Sequence, residues 1–197
     1  MLAFALPSQP AAAPLPSFDM PKANNHSMLR FVVVFMALLG GLFYLRVTEP
    51  VRQAVTLPFT GVLADVSGFI IKLFDARVLT EGVVIRSLDH PFAVAIAPGC
   101  DGIEAVIILI AAMIAFPAPW KHRLVGIGVG FLGIQALNLV RIISLFYLGQ
   151  WSRPAFDWFH LYLWQALIVL DALAIFLIWL RYLPRQPVAR QPETAPA

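Results

Sequence analysis

Three residues of this sequence combine reactive side chains with positions that single them out: Cys100, Arg141 and His160. Cys100 is the only cysteine and stands in Pro98-Gly-Cys-Asp-Gly102, at the entrance to an apolar run. A helix N-terminus carries partial positive charge, which favours thiolate over thiol, and thiolate is the reactive form. An imidazole nearby can take the thiol proton and later protonate a leaving amine. An arginine stays charged and offers several donors, enough to hold a tetrahedral oxyanion or to orient a substrate carbonyl. The three are the parts needed for acyl transfer by a cysteine nucleophile. Each also has a plainer reading. A lone cysteine in a membrane protein is commonly a small packing residue. Arg141 could form a structural salt bridge with Glu104 or Asp171. His160 could be an interfacial anchor.

Whether the three residues meet depends on the elements that carry them. The chain has 197 residues, 60% hydrophobic and 13% charged, against roughly half and a quarter in a soluble domain. This composition excludes an ordinary soluble domain and points to an all-α integral membrane protein. A single cysteine excludes an intramolecular disulfide and a cysteine-cluster metal site. The net charge of +3 gives no argument for nucleic acid.

Four segments approach the roughly 20 apolar residues that cross a bilayer. They run from Met28 to Val47, from about Gly102 to Ala118, from Leu124 to Leu148 and from Trp158 to Tyr182. Arg30 and Arg46 lie at the ends of the first, where arginine can snorkel. Segment 51–75 is interrupted by Arg52, Pro58, Asp65, Lys72 and Asp75, and is expected as an amphipathic helix on the membrane surface. Two β-rich runs, from Gly82 and from Phe92, flank Leu88-Asp-His-Pro91 and predict a hairpin before the cysteine helix. Residues 1–27, rich in Pro, Ala, Ser and Asn, lack the features of a secretory signal and are expected as a flexible cytoplasmic tail. Residues 28–182 form the membrane domain, and 183–197 a second cytoplasmic tail.

Lys22 and Arg30, then Lys121 and Arg123, then Arg181, Arg185 and Arg190 fall on one side if both termini are cytoplasmic. Cys100 then lies at the outer entrance of the second span and His160 in the first outer turn of the fourth. Arg141 lies about 10 Å deep in the third, at 1.5 Å per residue. Three spans therefore bring a thiol, a guanidinium and an imidazole to one membrane level.

Other polar residues support this level. Glu104 follows Cys100 by one turn and is expected to tune, or pair with, Arg141 or His160. Asn138 shares a face with Arg141 and could bond it or a substrate backbone. Asp171 faces the bundle interior, with a structural role as one reading. His90 belongs to the hairpin turn. Gly126, Gly130 and Gly133 read as a close helix-packing face, and Trp151, Trp158, Phe159, Tyr162 and Trp164 as an aromatic belt. A serine protease built on Ser144 lacks the Gly-x-Ser setting, and an Asp101–Asp171 aspartyl pair would sit at different depths. The non-catalytic alternative is a membrane scaffold or accessory subunit that binds a partner helix, for which Cys100 is dispensable.

Pro98-Gly-Cys-Asp-Gly-Ile-Glu-Ala105 resembles the Cys-x-Gly motif of the exosortase/archaeosortase family. Asn138-Leu-Val-Arg-Ile142 looks like its Asn-x-x-Arg-Ile/Val motif and Phe159-His160 like its third. The order Cys, Arg, His, the location of each on successive spans and the outward-facing level agree. The resemblance covers about residues 80–180, and the short format is reminiscent of the compact branch called exosortase H. Asp101 departs from the serine common after the cysteine, and many members have more spans. The resemblance implies a membrane-embedded cysteine transpeptidase or protease of the bacterial inner membrane. Its substrates would be proteins with a C-terminal sorting signal: a short motif, a transmembrane helix and a basic cluster. By motif, Cys100 would be the nucleophile, Arg141 the oxyanion or substrate-positioning group and His160 the acid/base. Asn138, Glu104 and Asp101 would stand around them. No metal or organic cofactor is called for. Lipid is the surrounding medium, and the oligomeric state is left open.

Overall fold

The computed structural model describes residues 25–183. The expected tails at 1–27 and 183–197 therefore lie outside the described residues, apart from Asn25 to Ser27, which open the first helix, and Leu183. Five helical elements and one small sheet make up the fold. Helix α1 spans Asn25–Val47. Helix α2, Glu49–Lys72, includes a π-helical stretch at Arg52–Thr56. Strands β1 (Val78–Glu81), β2 (Val84–Ser87) and β3 (Ala93–Ala95) follow. Helix α3 is Ile103–Ala115, α4 is Trp120–Trp151, and α5, Arg153–Arg181, carries a second π-helical turn at Phe159–Leu163.

Among the described residues, four helices are long and apolar enough to cross a membrane: α1, α2, α4 and α5. The number matches the expectation, but the membership differs. The expected second span is the 13-residue α3, about 20 Å long against about 30 Å of hydrocarbon. Phe116-Pro-Ala-Pro119 ends it early, because proline disfavours helix at the residue before it. Segment 51–75, expected on the membrane surface, instead forms most of α2. Its Thr60, Leu63, Ala64, Ser67, Gly68 and Ile71 are buried. The charges that broke the apolar run fall outside this buried stripe, so the helix packs against protein along one face.

Helix α3 is the centre of the bundle. It packs on α1, α4 and α5. Ala105, Val106, Leu109 and Met113 of α3 join Ile134 of α4 and Ile168, Ala172 and Trp179 of α5 in one core. The glycine face of α4 permits this approach: Gly126 lies against Trp179 and Met113, and Gly130 against Leu109 and Ile175. At that end the Trp179 indole N–H donates to the His122 carbonyl at 3.0 Å. The outward sides are apolar, as lipid requires: Val125, Val129 and Leu132 on α4, and Leu170, Leu173 and Leu177 on α5, are exposed.

The sheet caps the other end. It is antiparallel in the order β1-β2-β3, with Val78 opposite Ser87 and Arg86 opposite Ala93. The β2–β3 pair is the expected hairpin, and His90 is exposed in its turn. Strand β1 is an addition that the sequence pattern does not announce. Val78, Ile85 and Ile96 pack on Leu63, Ala64 and Ile71 of α2 and on Ile142 and Phe146 of α4, forming a second core. The sheet is therefore fixed to the same part of α4 that carries Arg141, and β3 is brought beside the cysteine loop.

Candidate active site

Cys100 sits in a turn whose shape is set by two glycines. Gly99 and Gly102 have φ of 99° and 74°, the left-handed region that side chains avoid. A Cβ at Gly102 would also press on Gln135 and Asn138 of α4. The Cys100 N–H donates to the Ala97 carbonyl at 2.9 Å. Asp101 Oδ1 accepts the Ile103 N–H at 3.1 Å and so caps the start of α3.

Arg141 and His160 approach from α4 and α5. Arg141 Nη2 is 4.0 Å from Cys100 Sγ, and His160 Nε2 is 3.9 Å from the same sulfur. The three residues expected at one level therefore meet at one atom. Arg141 is buried, and no carboxylate pairs with it among the described residues, so the salt bridge to Glu104 or Asp171 is absent there. Ser144 Oγ donates to the Arg141 carbonyl, a bond within its own helix.

His160 lies in the π-helical turn of α5, a local widening of the kind often found at functional sites. Its ring stacks on Phe156 at 5.5 Å and 6°. Phe156 is held in turn by Phe92 at 5.6 Å and lies beneath the Arg153 guanidinium. His160 Nδ1 is buried without a hydrogen-bond partner among the described residues, and stacking on Phe156 holds the imidazole plane there.

The second group of expected residues divides. Asp101 and Glu104 pair with neither Arg141 nor His160. Their partner is Arg46 at the end of α1, with Nη2 3.1 Å from Asp101 Oδ1 and Nη1 2.7 Å from Glu104 Oε1. Instead of snorkelling, as its place at a span end suggests, Arg46 turns inward because a fully buried carboxylate faces it. Asn138 is fully buried beneath Gly102, and among the described residues both ends of its amide lack a partner, as do those of the neighbouring Gln135. Asp171 Oδ2 is also buried without a partner among the described residues. The aromatic belt is exposed at Trp151, Trp158 and Tyr162, while Trp164 is buried.

A cavity of about 200 Å³ opens beside the sulfur, lined by β3 with Cys100, Arg141, Phe156 and His160. Sequence reasoning gave Arg46, Gln135, Phe92 and Phe156 no part in the site, and expected β3 only as half of a hairpin. The signal available for Phe156 was its i, i+4 spacing to His160 on one helix face.

Burial pushes the Cys100 thiol above its usual 9.0; the Arg141 charge opposes this, and Asp101 and Glu104 reinforce it. The thiolate assistance expected from the helix start is thus outweighed, since Cys100 stands ahead of the first turn and partly buried. The resting side chain at neutral pH is a thiol. Its alkylation by iodoacetamide should therefore keep accelerating as pH passes 9.0, because only the thiolate reacts. At any fixed pH it should be slower in Arg141→Ala, which loses the cation that favours thiolate. A rate profile that levels off below pH 9.0 would contradict this assignment.

A helical membrane protein with a cysteine, an arginine and a histidine gathered at one cavity is the class this geometry defines. The chain belongs to the transmembrane exosortase family, which matches residues 27–180. Membership implies a membrane transpeptidase. Comparison with curated proteins and with solved structures gives no match.

Proposed function

We propose that the protein is a cysteine transpeptidase or protease that cleaves the C-terminal sorting signal of exported proteins. The observation that carries this reading is the convergence of Arg141 Nη2 and His160 Nε2, at 4.0 and 3.9 Å, on the Cys100 sulfur. Distances slightly beyond ordinary hydrogen bonds are usual before substrate tightens such a site.

His160 Nε2 takes the Cys100 proton as the sulfur attacks the scissile carbonyl carbon. A C–S bond forms, and the carbonyl π electrons move to oxygen. Arg141, charged and without a carboxylate partner among the described residues, stabilises that oxyanion. The oxyanion collapses, the C–N bond breaks, and His160 returns the proton to the leaving amine. A thioester on Cys100 remains. An incoming amine or water gives its proton to His160, attacks the thioester carbon and releases the sulfur, which recovers the proton. Starting from a thiol–imidazole pair suits the raised thiol pKa, because proton removal is then coupled to attack.

In this proposal the protein is in the bacterial inner membrane, with both termini cytoplasmic and the cavity facing outward. Charge distribution supports that orientation. Lys121, Arg123 and Arg181 gather at the end of the bundle away from Cys100. At the cavity end, Arg77, Arg86 and Arg153 are each matched by a carboxylate.

The test is covalent trapping. The full chain is co-expressed with a reporter bearing a motif, transmembrane helix and basic cluster at its C-terminus. Membranes are quenched in acid and digested, and the peptide containing Cys100 is weighed. An acyl adduct removed by hydroxylamine is the expected result. Active cleavage with no adduct and unaltered rate in Cys100→Ser would overturn the mechanism.

A further inference from the structure

Both outer strands of the sheet lack a further partner strand among the described residues, and the β3 edge is the one that lines the cavity. β3 is the last strand of the sheet, and no strand joins its far side among the described residues. Its pairing with β2 shows which backbone groups are free. The Phe92 carbonyl accepts from the Ser87 N–H at 3.2 Å, and the Ile96 N–H donates to the Val83 carbonyl at 2.9 Å. Alternate residues of an antiparallel ladder face the partner strand. Phe92 through its carbonyl, Val94, and Ile96 through its N–H therefore face β2, while the Phe92 N–H turns to the His90 carbonyl at 2.7 Å; the backbone groups of Ala93 and Ala95 point away from β2.

Open edges are usually blunted by lysine, proline or a covering element. From Phe92 to Ala97 this edge has no charge and no proline, and its exposed positions are all alanine: Ala93, Ala95 and Ala97. The segment lines the cavity that holds Cys100 and His160. It also leads directly into the nucleophile, because the Ala97 carbonyl accepts the Cys100 N–H. At about 3.3 Å per residue, Ala93 to Ala97 offers about 13 Å of template ending at the reactive turn.

We infer that the substrate binds as an added β-strand on the free edge of β3, an extended peptide whose backbone bonds to Ala93 and Ala95 and carries the scissile carbonyl to Cys100. This inference rests on the peptidase reading and names how its substrate is held. An extended backbone fits such an edge, since strand addition draws affinity from main-chain hydrogen bonds and leaves side-chain choice to flanking pockets. The cavity of about 200 Å³ is below the roughly 300–1,000 Å³ of small-molecule sites, a size for a residue or two of peptide. The alanine side chains leave room on their face for larger side chains of the added strand.

The experiment uses the full chain in detergent and two probes: acetyl-Ala-Ala-Ala chloromethyl ketone, and the same compound N-methylated at its central residue. In each, the Cys100 sulfur displaces chloride and forms a thioether. N-methylation removes a backbone donor and crowds the edge. The unmethylated ketone should alkylate Cys100 about tenfold faster, the worth of one or two hydrogen bonds. Ala95→Pro replaces the outward N–H with ring carbons that obstruct strand addition, without touching the β2 ladder. It should abolish that preference and leave the iodoacetamide rate unchanged. Equal rates for the two ketones on the unsubstituted protein would overturn the inference, as would a preference that survives Ala95→Pro. If the proline variant loses iodoacetamide reactivity, the comparison on the unsubstituted protein decides alone. These outcomes concern only the binding mode. The peptidase reading fails separately, if Cys100→Ala still processes substrate.

Discussion

Replacing Cys100 by alanine should end processing of a C-terminally anchored reporter, with cleaved product falling to the level of a strain without the protein. Both Arg141 and His160 approach the sulfur, and the sequence has no second cysteine to substitute for it. His160→Ala should lower the rate about 10²–10⁴-fold, the usual contribution of a positioned acid–base group. Arg141→Ala should lower it about 10²–10³-fold, the usual effect of losing an oxyanion donor. Lysine at 141 should not recover the loss, because an ammonium lacks the planar fork that reaches sulfur and oxyanion from inside α4. Combining His160→Ala with Cys100→Ala should add nothing further, since residues that act as one unit are not additive. The readout is the ratio of full-length to cleaved reporter in membranes containing equal amounts of each variant. Unchanged processing in Cys100→Ala would leave the scaffold reading, in which the bundle merely holds a partner helix.

How much of this could be read beforehand depended on whether a signal was local. Cys100, Arg141 and His160 stood out because each is rare in its surroundings: a thiol at a helix entrance, a cation inside an apolar run, an imidazole at an interface. Span arithmetic then brought them to one depth; in the structure they meet, with Cys100 held in the turn ahead of α3, a helix too short to be the expected span. The β2–β3 hairpin was visible for the same reason, as two β-rich runs around a turn. Non-local partners were not visible. Arg46 looked like a snorkelling terminus because nothing near it in sequence asks for a cation; Asp101 and Glu104 are 55 and 58 residues away. The charges of segment 51–75 suggested a surface helix, yet its buried stripe is matched to strands and to α4. The spacing of Phe156 to His160 was local and could have been read, but the seating of Phe92 on Phe156 and the free edge of β3 depend on how the sheet meets the bundle, which the pattern of neither segment states.

The ion cluster at Arg46 carries the second large effect. Asp101 is fully buried directly after the nucleophile, and its charge is met by Arg46 Nη2, at 3.1 Å from Oδ1 and 3.2 Å from Oδ2. Removing one partner of a buried pair leaves an uncompensated charge, at a cost of about 3–5 kcal/mol. Arg46→Met should therefore lower the thermal unfolding midpoint in detergent by on the order of 10 °C or more. The half-exposed Glu104 contributes little of this, since its charge remains partly solvated. Processing should fall as well, because Asp101 also caps α3 through the Ile103 N–H and so fixes the turn that aims Cys100. Asp101→Asn keeps an acceptor for that N–H while removing the charge. Added to Arg46→Met, it should restore much of the lost stability, though the single Asp101→Asn change is itself destabilising. That reversal of sign between single and double variants separates a buried pair from a snorkelling arginine. If Arg46 merely reached for the interface, Arg46→Met would shift the midpoint little, and Asp101→Asn would have the same effect whether or not Arg46 was present.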